Sequence, residues 1–235
     1  MKWNWLAVVA SPALLALALS ACGSGTPEAA PSALSSETEP PLPPVMGKEL
    51  RIVALGDSLF AGYGLEPGQS YPAKLEAALR GRGINARIMN AGVSGDTTAG
   101  GLQRLDFTLS SLPQPPALVI VSLGGNDLLR GLPPEQTRGN LDAIMAKLKA
   151  RGVPVMLMGM IAPPNLGPDY AARFNPIYPA LAKRYDAKLV PFFLQPLIDK
   201  PALVQPDHIH PTAPGVELLV ADTLDAVVKA LPPAE

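Results

Sequence analysis

The chain has 235 residues, and its 19 basic side chains almost balance its 20 acidic ones. With no basic stripe, the charge argues against nucleic acid as a partner. A single cysteine excludes an internal disulfide, and both histidines fall in one tetrapeptide, Asp207-His208-Ile209-His210, so any imidazole chemistry must use that segment.

At the amino terminus Lys2 precedes an apolar stretch from Leu6 to Leu19 that contains Pro12. A charged start, a short apolar centre and small residues at its end describe a secretory signal rather than a membrane span. The end of this stretch, Leu19-Ser20-Ala21-Cys22-Gly23, resembles a bacterial lipobox. That resemblance implies cleavage before Cys22, lipidation of its thiol and a membrane contact made through the lipid anchor, since several acyl chains anchor where one does not. Gly23 in place of aspartate resembles lipoproteins sorted to the outer membrane, so the expected location is the periplasm-facing side of the bacterial cell envelope. Residues 23–47 are rich in Pro, Ser, Ala, Glu and Thr and too poor in large apolar side chains to build a core. The expected layout is a signal peptide over 1–21, a lipidated cysteine and tether over 22–47, and one folded domain over 48–235.

Beyond the tether, strand and helix patterns alternate. Strands are predicted near Leu50–Leu55, Ala86–Asn90, Ala117–Leu123, Val153–Met160 and Lys188–Val190. Between and after them lie helices near Pro72–Arg80, before Pro113, over Pro134–Ala150, over Tyr170–Tyr185 and over Pro214–Leu231. Alternating β and α units predict an α/β fold, a parallel sheet of about five strands covered by helices on both faces.

Polar clusters follow three of these strands. Gly56-Asp57-Ser58-Leu59 ends the first, Asn90-Ala91-Gly92-Val93-Ser94-Gly95-Asp96 the second, and Gly124-Gly125-Asn126-Asp127 the third. In open α/β sheets ligands bind beyond the carboxyl ends of the strands. A serine hydroxyl needs an imidazole to take its proton and a carboxylate to hold that imidazole. Ser58 with Asp207 and His210 supplies such a set; the bland alternatives are an ordinary turn at Ser58 and a helix-capping aspartate at Asp207. No Cys/His/carboxylate set has metal-ligand spacing, and neither a phosphate-binding loop nor a dinucleotide fingerprint is present. Asp57 and Asp127 read as carboxylates that order loops, and His208 as a surface histidine.

Gly56-Asp57-Ser58-Leu59, Gly92 in its Ser-Gly-Asp context, Gly124-Gly125-Asn126-Asp127 and Asp207-x-x-His210 resemble the four blocks of the GDSL, or SGNH, hydrolases. Within that family the chain is similar to the bacterial periplasmic arylesterase and acyl-CoA thioesterase/lysophospholipase group, over about Leu50 to Leu231. The resemblance implies a three-layer α/β/α sandwich with a flavodoxin-like sheet. It implies Ser58 as nucleophile, His210 as base and Asp207 as its orienting carboxylate. The oxyanion hole is then the Ser58 and Gly92 N–H groups with the Asn126 amide, and neither metal nor cofactor is needed. The expected reaction is hydrolysis of carboxylic esters or thioesters, on small or lipid acyl substrates, through an acyl-enzyme. A carbohydrate O-acetyl esterase and a non-catalytic surface-binding lipoprotein are the competing readings. Leu128 and Leu129, and Ile161 and Pro163 within Met160-Ile161-Ala162-Pro163-Pro164, form apolar loops at the same sheet edge. They either line an acyl groove or pack on neighbouring loops.

Overall fold

The computed structural model describes residues 44–232. The leader, Cys22 and all of the tether before residue 44 lie outside the described residues. Five strands form one parallel sheet: β1 (Leu50–Gly56), β2 (Ala86–Gly92), β3 (Leu118–Ser122), β4 (Val155–Met158) and β5 (Lys188–Val190). Their spatial order is β2-β1-β3-β4-β5. This is the flavodoxin-like order, in which the chain first winds to one side of β1 and then to the other.

The central strands explain why this sequence makes a parallel sheet. Ile52–Leu55 of β1 and every residue of β3 and β4 are buried, as expected of strands covered on both faces. The edges differ: β2 exposes Arg87 and Asn90, and β5 exposes Lys188, which blunts pairing with another chain. Two helices form one covering layer, α2 (Tyr71–Gly81) and α8 (Ala213–Ala230), packed against each other. α2 starts with Ser70 accepting from the Ala73 N–H and has Pro72 in its first turn. It buries Tyr71, Leu75 and Leu79, spaced four apart on one face. α8 buries Val216, Leu219, Val220, Thr223, Leu224 and Val227, and the Tyr71 hydroxyl meets Thr223 Oγ1 at 2.7 Å between the two helices. On the opposite face α3 (Thr98–Ser110) packs on α5 (Pro134–Ala150).

Two short helices that periodicity did not reveal follow strands directly: α1 (Ser58–Ala61) after β1 and α4 (Gly125–Leu129) after β3. The helix expected over Tyr170–Tyr185 is two, α6 (Pro168–Phe174) and α7 (Ile177–Tyr185). Pro176 and Pro179 have no N–H to give to carbonyls one turn earlier, so the helical ladder fails across this stretch. The strand expected over Val153–Met160 is confined to Val155–Met158.

Candidate active site

The polar clusters meet at the carboxyl edge of the sheet, around the point between β1 and β3 where the winding reverses. Ser58 is the first residue of α1. Its position is fixed from below by the buried carboxyl half of β1, and from beside by Asp57, whose N–H donates to the Ser122 carbonyl at 3.2 Å. The Asp57 carboxylate caps α1 by accepting the Leu59 N–H at 3.0 Å. Burial pushes this carboxyl up to about 6, against the lowering pulls of the Leu59 N–H and the nearby His210 ring.

Across from Ser58, the His210 Nε2 lies 2.8 Å from Ser58 Oγ, and His210 Nδ1 lies 2.6 Å from Asp207 Oδ2. The three-residue spacing works because Asp207 Oδ1 also accepts the N–H groups of Ile209 and His210, at 2.9 and 3.0 Å, curling the loop around its own carboxylate. Desolvation raises the Asp207 carboxyl, but the His210 N–H, the His210 ring and the Ile209 N–H together hold it down at about 2. Gln205 closes the loop: its N–H donates to the His210 carbonyl at 2.7 Å, and its side-chain amide donates to the Tyr63 and Pro211 carbonyls, each at 2.9 Å. The Tyr63 ring stands against the imidazole, 4.5 Å between centroids. His208 is exposed with φ 60° and is not the histidine that meets Ser58.

Asn126 sits in α4 beside the same cavity, and its amide donates to the Asp96 carbonyl at 2.9 Å. One amide hydrogen is thereby committed and the other remains to donate. Beneath it Asp127 is fully buried and accepts from the Thr98 N–H, the Thr98 hydroxyl and the Thr137 hydroxyl. Both Asp57 and Asp127 therefore order loops, as expected.

Gly92 corrects the expectation. Its N–H donates to Asn90 Oδ1 at 2.9 Å, and it does not line the cavity. β2 runs on through Gly92 in register with Gly56, so the chain has not yet left the sheet there. Glycine is needed for close approach: a Cβ would stand 2.3 Å from the Ala61 nitrogen of α1. The glycine of this segment that reaches the cavity is Gly95, beside Ser94 and at φ 84°, and its N–H has no acceptor among the described residues. The two glycines lie three residues apart in sequence, but Gly92 is the last residue of β2 and Gly95 lies in the loop beyond it.

The sequence reading also missed Arg104 of α3. Its Nε donates to Asp96 Oδ2 at 2.6 Å and its Nη2 to the Gly56 carbonyl at 2.8 Å. One guanidinium thus ties the loop carrying Gly95 and Asp96 to the strand end that carries Ser58. Arg130 adds a bond to the Gly95 carbonyl at 2.7 Å.

The cavity around Ser58 and His210 has a volume of about 270 Å³. Leu128, Leu129, Ile161 and Pro163 all line it, joined by Met160 and, from the loop after β5, Phe192 and Leu194. Leu128 is largely buried, whereas Leu129 and Ile161 are exposed at the mouth. The arrangement offers a hydroxyl aimed at an imidazole, N–H donors close by and an apolar wall, which is what acyl transfer requires.

A parallel five-stranded sheet bearing these side chains on its carboxyl edge is the architecture of the SGNH hydrolases. The model of the GDSL-like lipase/acylhydrolase family matches residues 54–218, and the chain belongs to that family. It is 42% identical over 160 residues to Esterase TesA of Pseudomonas aeruginosa, covering 68% of this chain and 79% of that protein. It is 41% identical over 160 residues to Thioesterase 1/protease 1/lysophospholipase L1 of Escherichia coli, covering 68% of this chain and 74% of that one. Among solved structures, AlinE4, an SGNH-hydrolase family esterase, superposes with a TM-score of 0.68 at 64% identity, over 80% of this chain and 100% of its own. The chain is an ester-hydrolysing enzyme.

Proposed function

We propose that this enzyme hydrolyses carboxylic esters and thioesters by a Ser58–His210–Asp207 triad, through an acyl-enzyme. The observation that carries the reading is the hydrogen-bonded relay from Ser58 Oγ through both ring nitrogens of His210 to Asp207. His210 takes the hydroxyl proton as Ser58 attacks the carbonyl carbon, and Asp207 holds the imidazole in the tautomer that can accept it. The oxyanion is met by the Ser58 N–H, the Gly95 N–H and the free hydrogen of the Asn126 amide. Collapse of the tetrahedral intermediate passes the proton to the leaving group, and water activated by the same imidazole releases the acid.

The apolar wall of Leu128, Leu129, Ile161 and Pro163 supports acyl chains over acetylated sugars, because a sugar would leave its hydroxyls without partners there. The names of the relatives support aryl esters, acyl thioesters and lysophospholipids as the classes to try. The discriminating experiment is a panel of aryl esters, acyl thioesters, lysophospholipids and acetylated sugars at equal concentration. Acyl esters or thioesters should have the higher kcat/KM, and preference for acetylated sugars over all of them would overturn the substrate assignment.

The layout of the whole chain follows the same reading: a leader over 1–21, lipid on Cys22, a tether to about residue 47, and the enzyme held near envelope lipids on the periplasmic side. Cys22→Ser should abolish lipid attachment and leave specific activity on a soluble ester unchanged. A Cys22→Ser protein that still fractionates with membrane would contradict this layout.

A further inference from the structure

A second depression of about 330 Å³ adjoins the catalytic cavity. Three side chains, Phe192, Leu194 and Ile209, belong to both, so the two are separated only by a shared apolar ridge. Beyond that ridge the floor is Leu197, Ile198, Pro201 and Val204, and the far rim carries Asp199, Lys200 and His208. Eight large apolar side chains are exposed among the described residues. Tyr63, Leu129, Ile161 and Ile209 line the cavity and Ile198 lines the second groove, so the exposed apolar surface concentrates on this one face. Scattered exposed hydrophobics need no explanation, but a continuous set beside a reactive centre marks a ligand surface.

The direction of proton flow decides which part of a substrate belongs there. When Ser58 attacks, the Oγ–acyl bond forms and the bond from acyl carbon to leaving oxygen or sulfur breaks. The proton taken from Ser58 by His210 Nε2 is then delivered to that leaving atom, which departs as a neutral alcohol or thiol. The leaving atom must therefore lie on the imidazole side of the carbonyl. That side is bounded by Tyr63, by the His210 ring and by Ile209, the neighbour of His210 and part of the shared ridge. The acyl chain takes the other side, where Leu128 and Leu129 follow Asn126.

We propose that the groove beyond Ile209 is a leaving-group subsite for an alcohol or thiol whose apolar body is several carbons long. The proposal rests on the Ser58–His210 reading above. The polar rim at Asp199, Lys200 and His208 sets where the apolar part ends. Lys200 already donates to the Pro196 carbonyl at 2.6 Å, which fixes its ammonium beside the groove and leaves further N–H bonds free for a polar terminus.

The test varies the two arms of the ester separately. One series holds butyrate constant and lengthens the alcohol from methyl to octyl; the other holds methanol constant and lengthens the acid from acetate to octanoate. For the native enzyme, kcat/KM should rise with alcohol length by up to about fourfold for each methylene that enters the groove. Ile198→Trp, which fills the groove without touching the cavity, should flatten the alcohol series and leave the acid series within about twofold. Ile198→Ala should lower the long-alcohol rates by threefold or more with the methyl esters unchanged, and it serves as the milder variant if the tryptophan disturbs folding. A flat alcohol series in native enzyme that turns over methyl butyrate would overturn the subsite while leaving the nucleophile assignment intact. Loss confined to the acid series in either variant would overturn it too, by placing the acyl chain in the groove. Turnover of methyl butyrate by Ser58→Ala is the separate result that would remove the reading on which the subsite stands.

Discussion

The proposed nucleophile and its proposed base are held by opposite means. Ser58 stands on the end of a buried central strand, with Asp57 bonded to β3 and Arg104 bonded to the Gly56 carbonyl. Asp207 and His210 stand on a partly exposed loop without helix or strand, held by Gln205, by the Val204–Pro211 bridge and by the bonds that Asp207 makes to its own backbone. The first position is a property of the sheet and the second of a few local hydrogen bonds. Cutting the ties on the sheet side should therefore cost more stability for a given loss of rate than cutting the backbone ties of the loop, where the stability at stake is chiefly that of the Asp207 carboxylate itself.

The largest expected effect separates chemistry from fold. Ser58→Ala should lower kcat on the order of 10⁶-fold, because a triad acts as a unit, with its thermal midpoint close to that of the native enzyme. Steady-state kinetics and a melting curve on one purified sample check both halves.

Asp207→Asn should lower kcat on the order of 10⁴-fold, since an amide holds the imidazole in the wrong tautomer. The same variant tests the depressed carboxyl. A folded value of about 2 against an ordinary 3.8 means that Asp207 stabilises the fold at neutral pH, and that this contribution is lost as pH falls from about 4 to about 2. The stability difference between native enzyme and Asp207→Asn should thus be constant above pH 5 and shrink through that acid window. A difference that persists undiminished near pH 2 would contradict the assignment.

The next pair tests the comparison itself. Arg104→Gln removes both arms of the guanidinium bridge, and should cost about 2 kcal/mol of stability and about 10²-fold in kcat, with KM little changed. Gln205→Ala should cost about tenfold in kcat with under about 1 kcal/mol of stability, since its bonds tie only the loop. If Gln205→Ala proves the more destabilising of the two, the division between sheet-held and loop-held residues is wrong.

The smallest effect concerns Asp57. Its carboxyl is raised to about 6 by burial, so the folded state keeps a proton that the unfolded chain loses, and stability falls as pH rises from about 4 to about 6. Asp57→Asn retains an acceptor for the Leu59 N–H and should flatten that fall, measured by chemical denaturation at intervals across the window.

What the sequence revealed divides along similar lines. The core strands were legible because continuous apolar runs such as Leu118–Val121 suit a strand covered on both faces. Ser58 and Asn126 stand out in sequence because polar residues directly after such runs have few structural reasons to be there, and Asp207-x-x-His210 stands out because that tetrapeptide holds both histidines of the chain. That Gly95 rather than Gly92 faces the cavity is not legible in sequence, because the end of β2 is set by its pairing with β1 as far as Gly56, which no local pattern in Asn90–Asp96 reveals. Arg104 was invisible for a related reason: its partners, Asp96 and Gly56, are 8 and 48 residues away, and a helical arginine ordinarily faces solvent. Phe192, Leu194 and Ile209 read as ordinary apolar residues in sequence, and only the fold places them between two depressions. The break between α6 and α7 is written in the sequence as Pro176 and Pro179, which a continuous helix over Tyr170–Tyr185 cannot accommodate without losing two ladder bonds.

The central claim is that Ser58 is the nucleophile, and the most direct measurement is the site of covalent labelling by a fluorophosphonate. The reagent should add one phosphonyl group per chain, mapped by peptide mass to the tryptic segment containing Ser58, with activity lost in proportion and no adduct on Ser58→Ala. An adduct on any other serine, or full inhibition of a protein whose Ser58 remains unmodified, would contradict the account.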